Sequence, residues 1–210
     1  MKQLTDGVFQ LQKARGANAY LVAAGDRSVV IDTGIRSGGP GLIAELAGAR
    51  HEVPPVTDIV LTHYDPDHAG AAAALQRQTG AKVWLGRADA AILRGETPPP
   101  TRSRRILALR GQADEPAGLA ELPDDAETEV VPELFAVPAP GHTPGHHVVR
   151  WHGVVFSGDA VRLSKGALEQ FPAFLISDTG QALETAALIA GMRPRLVCPG
   201  HGAPGLLAAR

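Results

Sequence analysis

Four side chains that can bind a metal ion fall within six residues, at His63, Asp65, Asp67 and His68. They directly follow an apolar run that ends at Leu61. Imidazole nitrogens and carboxylate oxygens are the ligands that Zn, Fe and Mn sites use in proteins. Alternate residues of an extended loop project to the same side, which would direct the first three of these side chains toward one ion. Folding alone does not require such a density of ligands, so the segment predicts a metal centre.

Three further segments offer what such a centre would still lack. His142 lies in the turn Pro-Gly-His-Thr-Pro-Gly-His at 140–146, Asp159 follows the apolar run 154–156, and His201 lies between two glycines after another apolar run. Each of these patterns alone is common, because many strands end in glycine and a polar residue. Their combination favours a centre that several loops build together.

Together these segments resemble the metallo-β-lactamase-fold hydrolase superfamily. Its signature is His-x-His-x-Asp-His, then a histidine in a Gly-His-Thr-x-Gly turn, an aspartate after a strand and a late histidine. The resemblance extends to Asn-Ala-Tyr-Leu-Val at 18–22 and Val-Val-Ile-Asp-Thr-Gly at 29–34, which are similar to the opening strands of the family and to its Asp-Thr-Gly turn. It therefore covers nearly the whole chain and implies a four-layer αββα sandwich of the α/β class.

The resemblance also implies two divalent metal ions held by seven side chains. The implied ligands are His63, Asp65 and His142 for the first ion, Asp67, His68 and His201 for the second, and Asp159 as the bridge between them.

Asp65 departs from the signature, since the family usually has histidine there. Three carboxylates and a bridging hydroxide would cancel the charge of two divalent ions, which favours Mn or Fe over Zn. The similar flavodiiron branch has a carboxylate at this position, but also a flavodoxin module that this chain lacks. The identity of the metal among Zn, Mn and Fe stays open, and so does a mononuclear centre in which Asp65 is not a ligand.

The resemblance implies a hydrolase in which a metal-bridging hydroxide attacks the substrate, with Asp67 as the catalytic residue that handles the proton. Glyoxalase II enzymes bind glutathione with a C-terminal helical region, whereas nine residues follow His201 here, and the nuclease branches have added domains or basic surfaces. A small ester, thioester or lactone is therefore the expected substrate. Two alternatives remain: an iron-dependent oxidoreductase, such as a persulfide dioxygenase or an O2/NO reductase, and a non-catalytic metal-binding protein.

Composition agrees with one domain over residues 1–210. The chain is 44% hydrophobic and has a net charge of −2, which argues against a nucleic-acid partner. Without a membrane-length apolar run or a signal-like N-terminus, the expected location is the cytoplasm and the expected partner is a small-molecule substrate. The lone cysteine, Cys198, follows Leu-Val and is interpreted as a buried small hydrophobe.

The predicted elements place each candidate ligand at or just after the end of a strand, or at the start of a helix. Asp178 is the expected N-cap of the last helix. Predicted strands cover 29–32, 58–62, 82–86, 134–138, 147–151, 154–157 and 196–199, and predicted helices cover 40–49, 69–79 and 179–190.

The segment 95–132 does not fit this pattern and is interpreted as an insertion over the site, either a lid or a surface excursion. Its basic cluster, which comprises 102–105 and Arg110, is expected to be a solvated surface rather than an anion site. Outside this segment, His146 is a candidate for orienting a ligand. The remaining minor candidates are Phe171, Pro172 and Phe174 as pocket walls or core, and His51, His147 and His152 as ordinary histidines.

Overall fold

Two β-sheets form the centre of the protein, which a computed structural model describes over residues 1–109 and 111–208. Arg110 of the basic cluster lies outside the described residues. The strands of the first sheet, in spatial order, are β1 Lys2–Thr5, β2 Val8–Leu11, β3 Ala19–Ala24, β4 Arg27–Ile31, β5 Val56–Val60, β6 Lys82–Gly86 and β7 Ala120–Leu122. Its first four strands are antiparallel, and β4 to β7 are parallel.

The second sheet has five strands in the order β14, β11, β10, β9, β8. Their bounds are β8 Thr128–Val131, β9 Leu134–Pro138, β10 His147–Trp151, β11 Val154–Gly158 and β14 Leu196–Pro199. A separate hairpin pairs β12 Arg162–Ser164 with β13 Ala167–Glu169. Strands β11 and β14 are parallel, whereas the other pairs of this sheet are antiparallel.

Helices cover the outer faces of the sheets. Their bounds are α1 Gly39–Gly48, α2 Pro66–Ala69, α3 Ala72–Thr79, α4 Arg87–Leu93, α5 Arg102–Ala108 and α6 Thr179–Gly191, with 3₁₀ turns at Arg36–Gly38 and Ala173–Leu175. The side chain of Asp178 accepts a hydrogen bond from the backbone nitrogen of Gln181 at 3.0 Å, so the predicted N-cap of α6 is confirmed. Among the described residues, none of the helices combines the length and the apolar character needed to cross a bilayer.

Three buried apolar clusters define four layers. The cluster between the sheets includes Tyr20 of β3 and Phe156 of β11, whose ring centroids are 5.3 Å apart. A second cluster joins the opposite face of the first sheet to α1, α3 and α4, and a third joins the second sheet to α6 through Ile189. Each sheet is thus buried on both faces, which confirms the αββα sandwich.

The predicted helix 69–79 begins later than expected, at Ala72, and a separate short helix, α2, precedes it. Gly70 separates α2 from α3, and a Cβ atom there would lie 2.3 Å from the carbonyl oxygen of Pro66 and 2.6 Å from the backbone nitrogen of Arg36. Only glycine allows this close approach, and the break lets α2 present Asp67 and His68 at an angle of its own. The alanine-rich composition alone does not indicate the break.

The segment 95–132 is only partly an insertion, which corrects its interpretation as one excursion. Strand β7 pairs with β6, and β8 pairs with β9, so the second half of the segment extends both sheets. These short edge strands contribute few buried apolar side chains, such as Leu122 and Val131, among charged neighbours. The first half contains α5 and lies over the candidate site.

Candidate metal centre

The seven candidate ligands come from four loops at one edge of the two sheets. The first four follow β5, with Asp67 and His68 inside α2, and His142 lies between β9 and β10. Asp159 directly follows β11, and His201 follows β14. Because β11 and β14 are parallel, the loops after them leave the second sheet at the same edge. The sandwich therefore brings together residues that are far apart in the sequence.

His63, Asp65 and His142 form one group. The Oδ2 atom of Asp65 lies 3.3 Å from Nε2 of His63 and 3.3 Å from Nε2 of His142. One potential ligand atom from each of the three residues falls within 4.8 Å of the others. This is the spacing of side chains that can share one ion.

Asp67, His68 and His201 form a second group. The Oδ2 atom of Asp67 lies 3.2 Å from Nε2 of His201 and 3.9 Å from Nε2 of His68. Their potential ligand atoms also fall within 4.8 Å of one another. His68 is buried, whereas Asp67 and His201 are each about one-third exposed, at 35% and 36%, so this group is the more open of the two.

Asp159 lies between the groups. Its Oδ1 is 3.3 Å from Nε2 of His68, and its Oδ2 is 3.8 Å from Nε2 of His142 and 3.5 Å from Nε2 of His201. One carboxylate thus approaches histidines of both groups, which is the arrangement that a bridging ligand needs.

Three buried polar atoms at the centre indicate whether these residues can hold a metal ion. Nε2 of His63, Nε2 of His68 and Oδ1 of Asp159 are buried and have no hydrogen-bond partner among the described residues. A buried polar atom without a partner costs about 1–3 kcal/mol. These three residues also form a candidate ligand group of their own. The donor set therefore fits metal ions, which would satisfy all three atoms.

In the metal-free centre, carboxylates and histidines stabilise one another's charged forms, and metal binding would release the histidine protons. Burial alone would raise the pKa of Asp159 and of Asp65, but the nearby histidines hold both pKa values well below the usual range. Burial would lower the pKa of His68, but the carboxylates of Asp159 and Asp32 raise it well above its usual value. In the more open group, hydrogen bonds to Asp159 and Asp67 raise the pKa of His201 to about 9.

Asp32, which the sequence suggested only as part of a family-like turn, orients histidines of both groups. Its Oδ2 accepts a hydrogen bond from Nδ1 of His68 at 2.8 Å. The Thr62 hydroxyl donates to the same Oδ2 at 2.9 Å and lies 2.9 Å from Nδ1 of His63. Since Thr62 donates to Asp32, its oxygen can accept from His63. When the two rings are neutral, as metal ligation requires, both carry the proton on Nδ1 and direct an Nε2 lone pair at the centre.

Asp89 of α4 supports the candidate site, and the sequence did not indicate it. It is buried and accepts hydrogen bonds from the Thr143 hydroxyl at 2.6 Å and from the backbone nitrogens of Gly145, at 2.7 Å, and Tyr64, at 3.2 Å. It therefore ties the loop after β5 to the loop that holds His142. Helix α4 was not predicted, and an isolated Asp in a short helix carries no motif.

His146 lies behind the centre, where it was expected to orient a ligand. Its Nε2 accepts a hydrogen bond from the backbone nitrogen of Asp159 at 3.2 Å, and its ring stacks on His63 with 5.0 Å between centroids. Burial, then the charges of His63 and His142, hold its pKa well below the usual value, so the ring is a neutral acceptor. It positions Asp159 through the backbone. The other three histidines lie outside the candidate ligand groups.

The His201 loop is held by the first sheet. Asn18 donates from Nδ2 to the carbonyl oxygens of Pro199 at 2.9 Å and Gly202 at 2.7 Å. Tyr20 donates its hydroxyl to the same Pro199 oxygen at 2.7 Å. Cys198 is buried between the sheets, and burial raises the pKa of its thiol, as expected for a small hydrophobe.

Arg104 contradicts the expectation of a solvated basic surface. Its side chain is 2% exposed, and its guanidinium lies 3.0 Å from Asp65 Oδ2. The other described arginines of the cluster, Arg102 and Arg105, are exposed as expected. A charge pattern cannot distinguish one inward arginine from its neighbours on a short helix.

A pocket of about 350 Å³ opens above the ligands. Its apolar lining comes from both sides of the centre, and Phe171 lies 5.4 Å from His142, measured between ring centroids. The apolar side chains that line it include Tyr64, Leu93, Ala108, Phe171 and Leu175. Of the aromatic wall candidates, Phe171 takes this place, whereas Phe174 is 61% exposed. The centre thus forms the floor of a mostly apolar pocket.

Comparison with known proteins identifies the family. The model of the metallo-beta-lactamase superfamily matches residues 13–201. This chain belongs to the metallo-beta-lactamase superfamily. The matched range contains every candidate ligand described above.

Three curated relatives show how similar this chain is to known proteins. "Uncharacterized protein YobT" of Bacillus subtilis (strain 168) is 29% identical over 199 residues, which span 88% of this chain and 82% of YobT. "Probable metallo-hydrolase YflN" of the same organism is 28% identical over 214 residues, spanning 90% of this chain and 81% of YflN. "Hydroxyacylglutathione hydrolase" of Anaeromyxobacter dehalogenans (strain 2CP-C) is 33% identical over 142 residues, spanning 68% of this chain and 45% of that enzyme.

Solved structures share the fold of this chain. A B3 metallo-beta-lactamase with an active-site glutamic acid superimposes with a TM-score of 0.74 at 20% identity, over 98% of this chain and 82% of that one. TTHA1623, solved in a di-iron-bound form, superimposes with a TM-score of 0.67 at 27% identity, over 90% of this chain and 89% of that one. The chain is accordingly a metal-binding member of this superfamily, and hydrolysis is the activity that the names of its relatives support.

Proposed function

We propose that this metallo-beta-lactamase superfamily protein is a binuclear metal-dependent hydrolase of a small ester, thioester or lactone. One observation carries the proposal: Asp159 approaches His68, His142 and His201 at the floor of an apolar pocket. A carboxylate between two ligand groups suits a pair of ions rather than one.

The seven candidate ligands would hold the two ions. When bound, such ions lower the pKa of water toward neutrality and polarise a carbonyl oxygen. The protein supplies the rest through its own side chains. Asp67 lines the pocket and is partly exposed, so its carboxylate can accept a proton from water and pass it to a leaving group. His201 lies 3.2 Å from this carboxylate and would share the second ion with it.

The pocket supports a substrate with an apolar, uncharged body. Tyr64, Leu93 and Phe171 offer apolar contact and exclude water from the reacting bond. The guanidinium of Arg104 faces the pocket region but is bonded to Asp65, so it is not poised to bind a substrate anion. An acyl group attached through oxygen or sulfur meets these requirements.

Two relatives support hydrolysis by their names, a metallo-hydrolase and a hydroxyacylglutathione hydrolase. The hydroxyacylglutathione hydrolase is matched over only 45% of its length. The glutathione part of its substrate is therefore not proposed for this chain. Asp65 favours a second candidate, an iron-dependent oxidoreductase, because its carboxylate lies 3.3 Å from both His63 and His142 and is a harder ligand than imidazole.

The decisive experiment compares wild type with Asp67→Asn, each at full metal occupancy. Generic esters, thioesters, lactones and a phosphodiester are assayed, with O2 uptake followed in parallel on thiol substrates. We expect turnover of an ester, thioester or lactone by wild type and a loss of about 10²–10⁴ in the variant, since general acid-base catalysis is worth that much. Asp125→Asn, on an exposed side chain, is the matched control.

The two candidate functions predict opposite outcomes. Oxygen consumption by the iron-loaded protein without hydrolysis of any substrate class would reject the hydrolase and favour the oxidoreductase. Equal hydrolysis by wild type and Asp67→Asn would reject the role of Asp67.

A further inference from the structure

Asp65 differs from the other six candidate ligands because the guanidinium of Arg104 donates hydrogen bonds to both of its carboxylate oxygens. Nη2 of Arg104 lies 3.0 Å from Oδ2 and 3.2 Å from Oδ1, and Nη1 lies 3.2 Å from Oδ2. Arg104 belongs to α5, the helix of the segment that lies over the site. The pair therefore joins the first ligand group to a helix outside both sheets.

The two side chains depend on each other electrostatically. Arg104 is 2% exposed, its Nε atom has no hydrogen-bond partner among the described residues, and its carbon Cζ lies 5.4 Å from the centroid of the Tyr64 ring. Among the described residues, Asp65 is the only carboxylate that forms an ion pair with Arg104. Without Asp65, a buried guanidinium would lose its counter-charge, which proteins tolerate poorly.

The pair also restores the charge that an imidazole would have. An aspartate in place of a neutral histidine adds one negative charge to the centre, and the guanidinium adds one positive charge beside it. The guanidinium engages Oδ2 from one side, while Nε2 of His63 and of His142 approach the same oxygen at 3.3 Å. Asp65 can thus be held by the helix and still face the two histidines.

Resting on the proposed binuclear centre, we propose that Arg104 is a positioning residue of the first metal position. It makes the Asp65 carboxylate equivalent in charge and direction to a histidine, and it couples that position to the docking of α5. Helix α5 packs against the turn Ala173–Leu175, and Ala108 and Leu175 both line the pocket. The ion pair between Arg104 and Asp65 therefore links metal occupancy of the first position to the docking of α5 over the pocket.

Substitution of both partners tests the proposal. Arg104→Met leaves Asp65 unneutralised, Asp65→His leaves Arg104 unpaired, and the double variant restores the common imidazole without the guanidinium. We expect each single variant to weaken the first position about 10- to 100-fold, the usual effect of removing a ligand's supporting partner. In the double variant, affinity should return to within about threefold of wild type, with preference moved toward Zn²⁺ because imidazole is the softer ligand.

Affinity is measured with Zn²⁺ and Mn²⁺ alone, by competition against a chromophoric chelator, so the readout does not depend on hydrolysis. Exposure of α5 is followed in the same samples by hydrogen exchange of 95–109. Bound metal should protect this segment in wild type and not in Arg104→Met. Arg102→Met, an exposed position on the same helix, should match wild type in both readouts.

Three results would overturn the proposal: unchanged first-position affinity in Arg104→Met, a double variant no better than Asp65→His alone, or protection of 95–109 that is independent of metal. If Arg104→Met does not fold, Arg104→Lys keeps the charge and removes the two-pronged contact, and it should lose affinity while retaining a native melting transition. A protein that binds two ions and passes these tests without hydrolysing any substrate would retain this inference and lose the proposed function.

Discussion

His68 donates a hydrogen bond from Nδ1 to Asp32 at 2.8 Å, and the two residues are separated by 36 positions in the sequence. The opposite nitrogen of the ring faces Asp159 at 3.3 Å. Asp32 also accepts a hydrogen bond from the backbone nitrogen of Thr62 at 2.8 Å, which fixes the position of the Asp32 carboxylate. The first sheet thereby sets the orientation of a candidate ligand that its own strands do not contain.

Asp32→Asn should weaken metal binding about 10- to 100-fold, although Asp32 is not among the proposed ligands. An amide can present either a donor or an acceptor to His68 Nδ1, so the variant no longer fixes the proton there. Chelator competition measures the effect, and Asp26→Asn on an exposed turn is the control. An affinity equal to that of wild type would show that Asp32 does not direct the ring.

Metal analysis should find about two ions per chain, because Asp159 approaches histidines of both groups. Removal of the ions with a chelator should lower the melting temperature, since ligands that bind only the folded state stabilise it. Elemental quantification and thermal denaturation before and after chelation give both values. One ion per chain at full activity would contradict the binuclear centre.

Gly200→Ala should disturb the centre without removing a ligand. A Cβ atom at this position would lie 2.4 Å from Oδ1 of Asp159 and 2.5 Å from Cε1 of His68. We expect a loss of metal affinity of at least about tenfold, comparable to loss of a supporting contact. Gly191→Ala is a suitable control, because no atom lies within 4 Å of the added Cβ there. Equal metal affinities for the two variants would mean that the loop after β14 can move to accommodate the added methyl group without disturbing the ligands.

Asp89 should make the metal-free protein less stable as the pH rises from about 4 to about 6. Burial raises the pKa of Asp89 to about 6, so the folded state binds this proton more tightly than the unfolded state does. The resulting stability is present below the unfolded pKa of about 3.9 and is lost as the pH passes the folded value.

The difference in free energy of unfolding between wild type and Asp89→Asn isolates this contribution, because Asn does not titrate. With metal removed, the difference should fall by an amount on the order of 2 kcal/mol between pH 4 and pH 7. Denaturant titrations of both proteins at several pH values measure it. A difference that is constant or grows with pH for Asp89→Asn would contradict the assignment.

Local patterns predicted much of the fold. Four strands, including Lys82–Gly86 and Leu196–Pro199, have the predicted bounds because a continuous apolar run is visible without knowledge of its partners. The edge strands β7 and β8 were missed because each is short and lies among charged residues. Their pairing is decided by the neighbouring strand rather than by their own composition.

The candidate site divides in the same way. The seven side chains that the sequence indicated do lie together, since glycine, proline and strand ends mark their loops. Asp89 and Arg104 were missed because their partners are distant: Asp89 bonds Thr143, 54 positions away, and Arg104 bonds Asp65, 39 positions away. Only the folded arrangement of the sheets reveals such supporting contacts.

The hydrogen bonds from Asn18 and Tyr20 to the Pro199 carbonyl oxygen join residues that are synthesised early and late in translation. Asn18 and Pro199 are 181 positions apart in the sequence, and His201 follows two residues later. During translation, the early donors emerge from the ribosome long before their acceptor is made. The set of candidate ligands is therefore incomplete until His201 has been made, so an ion that needs His201 can bind only after that residue has left the ribosome.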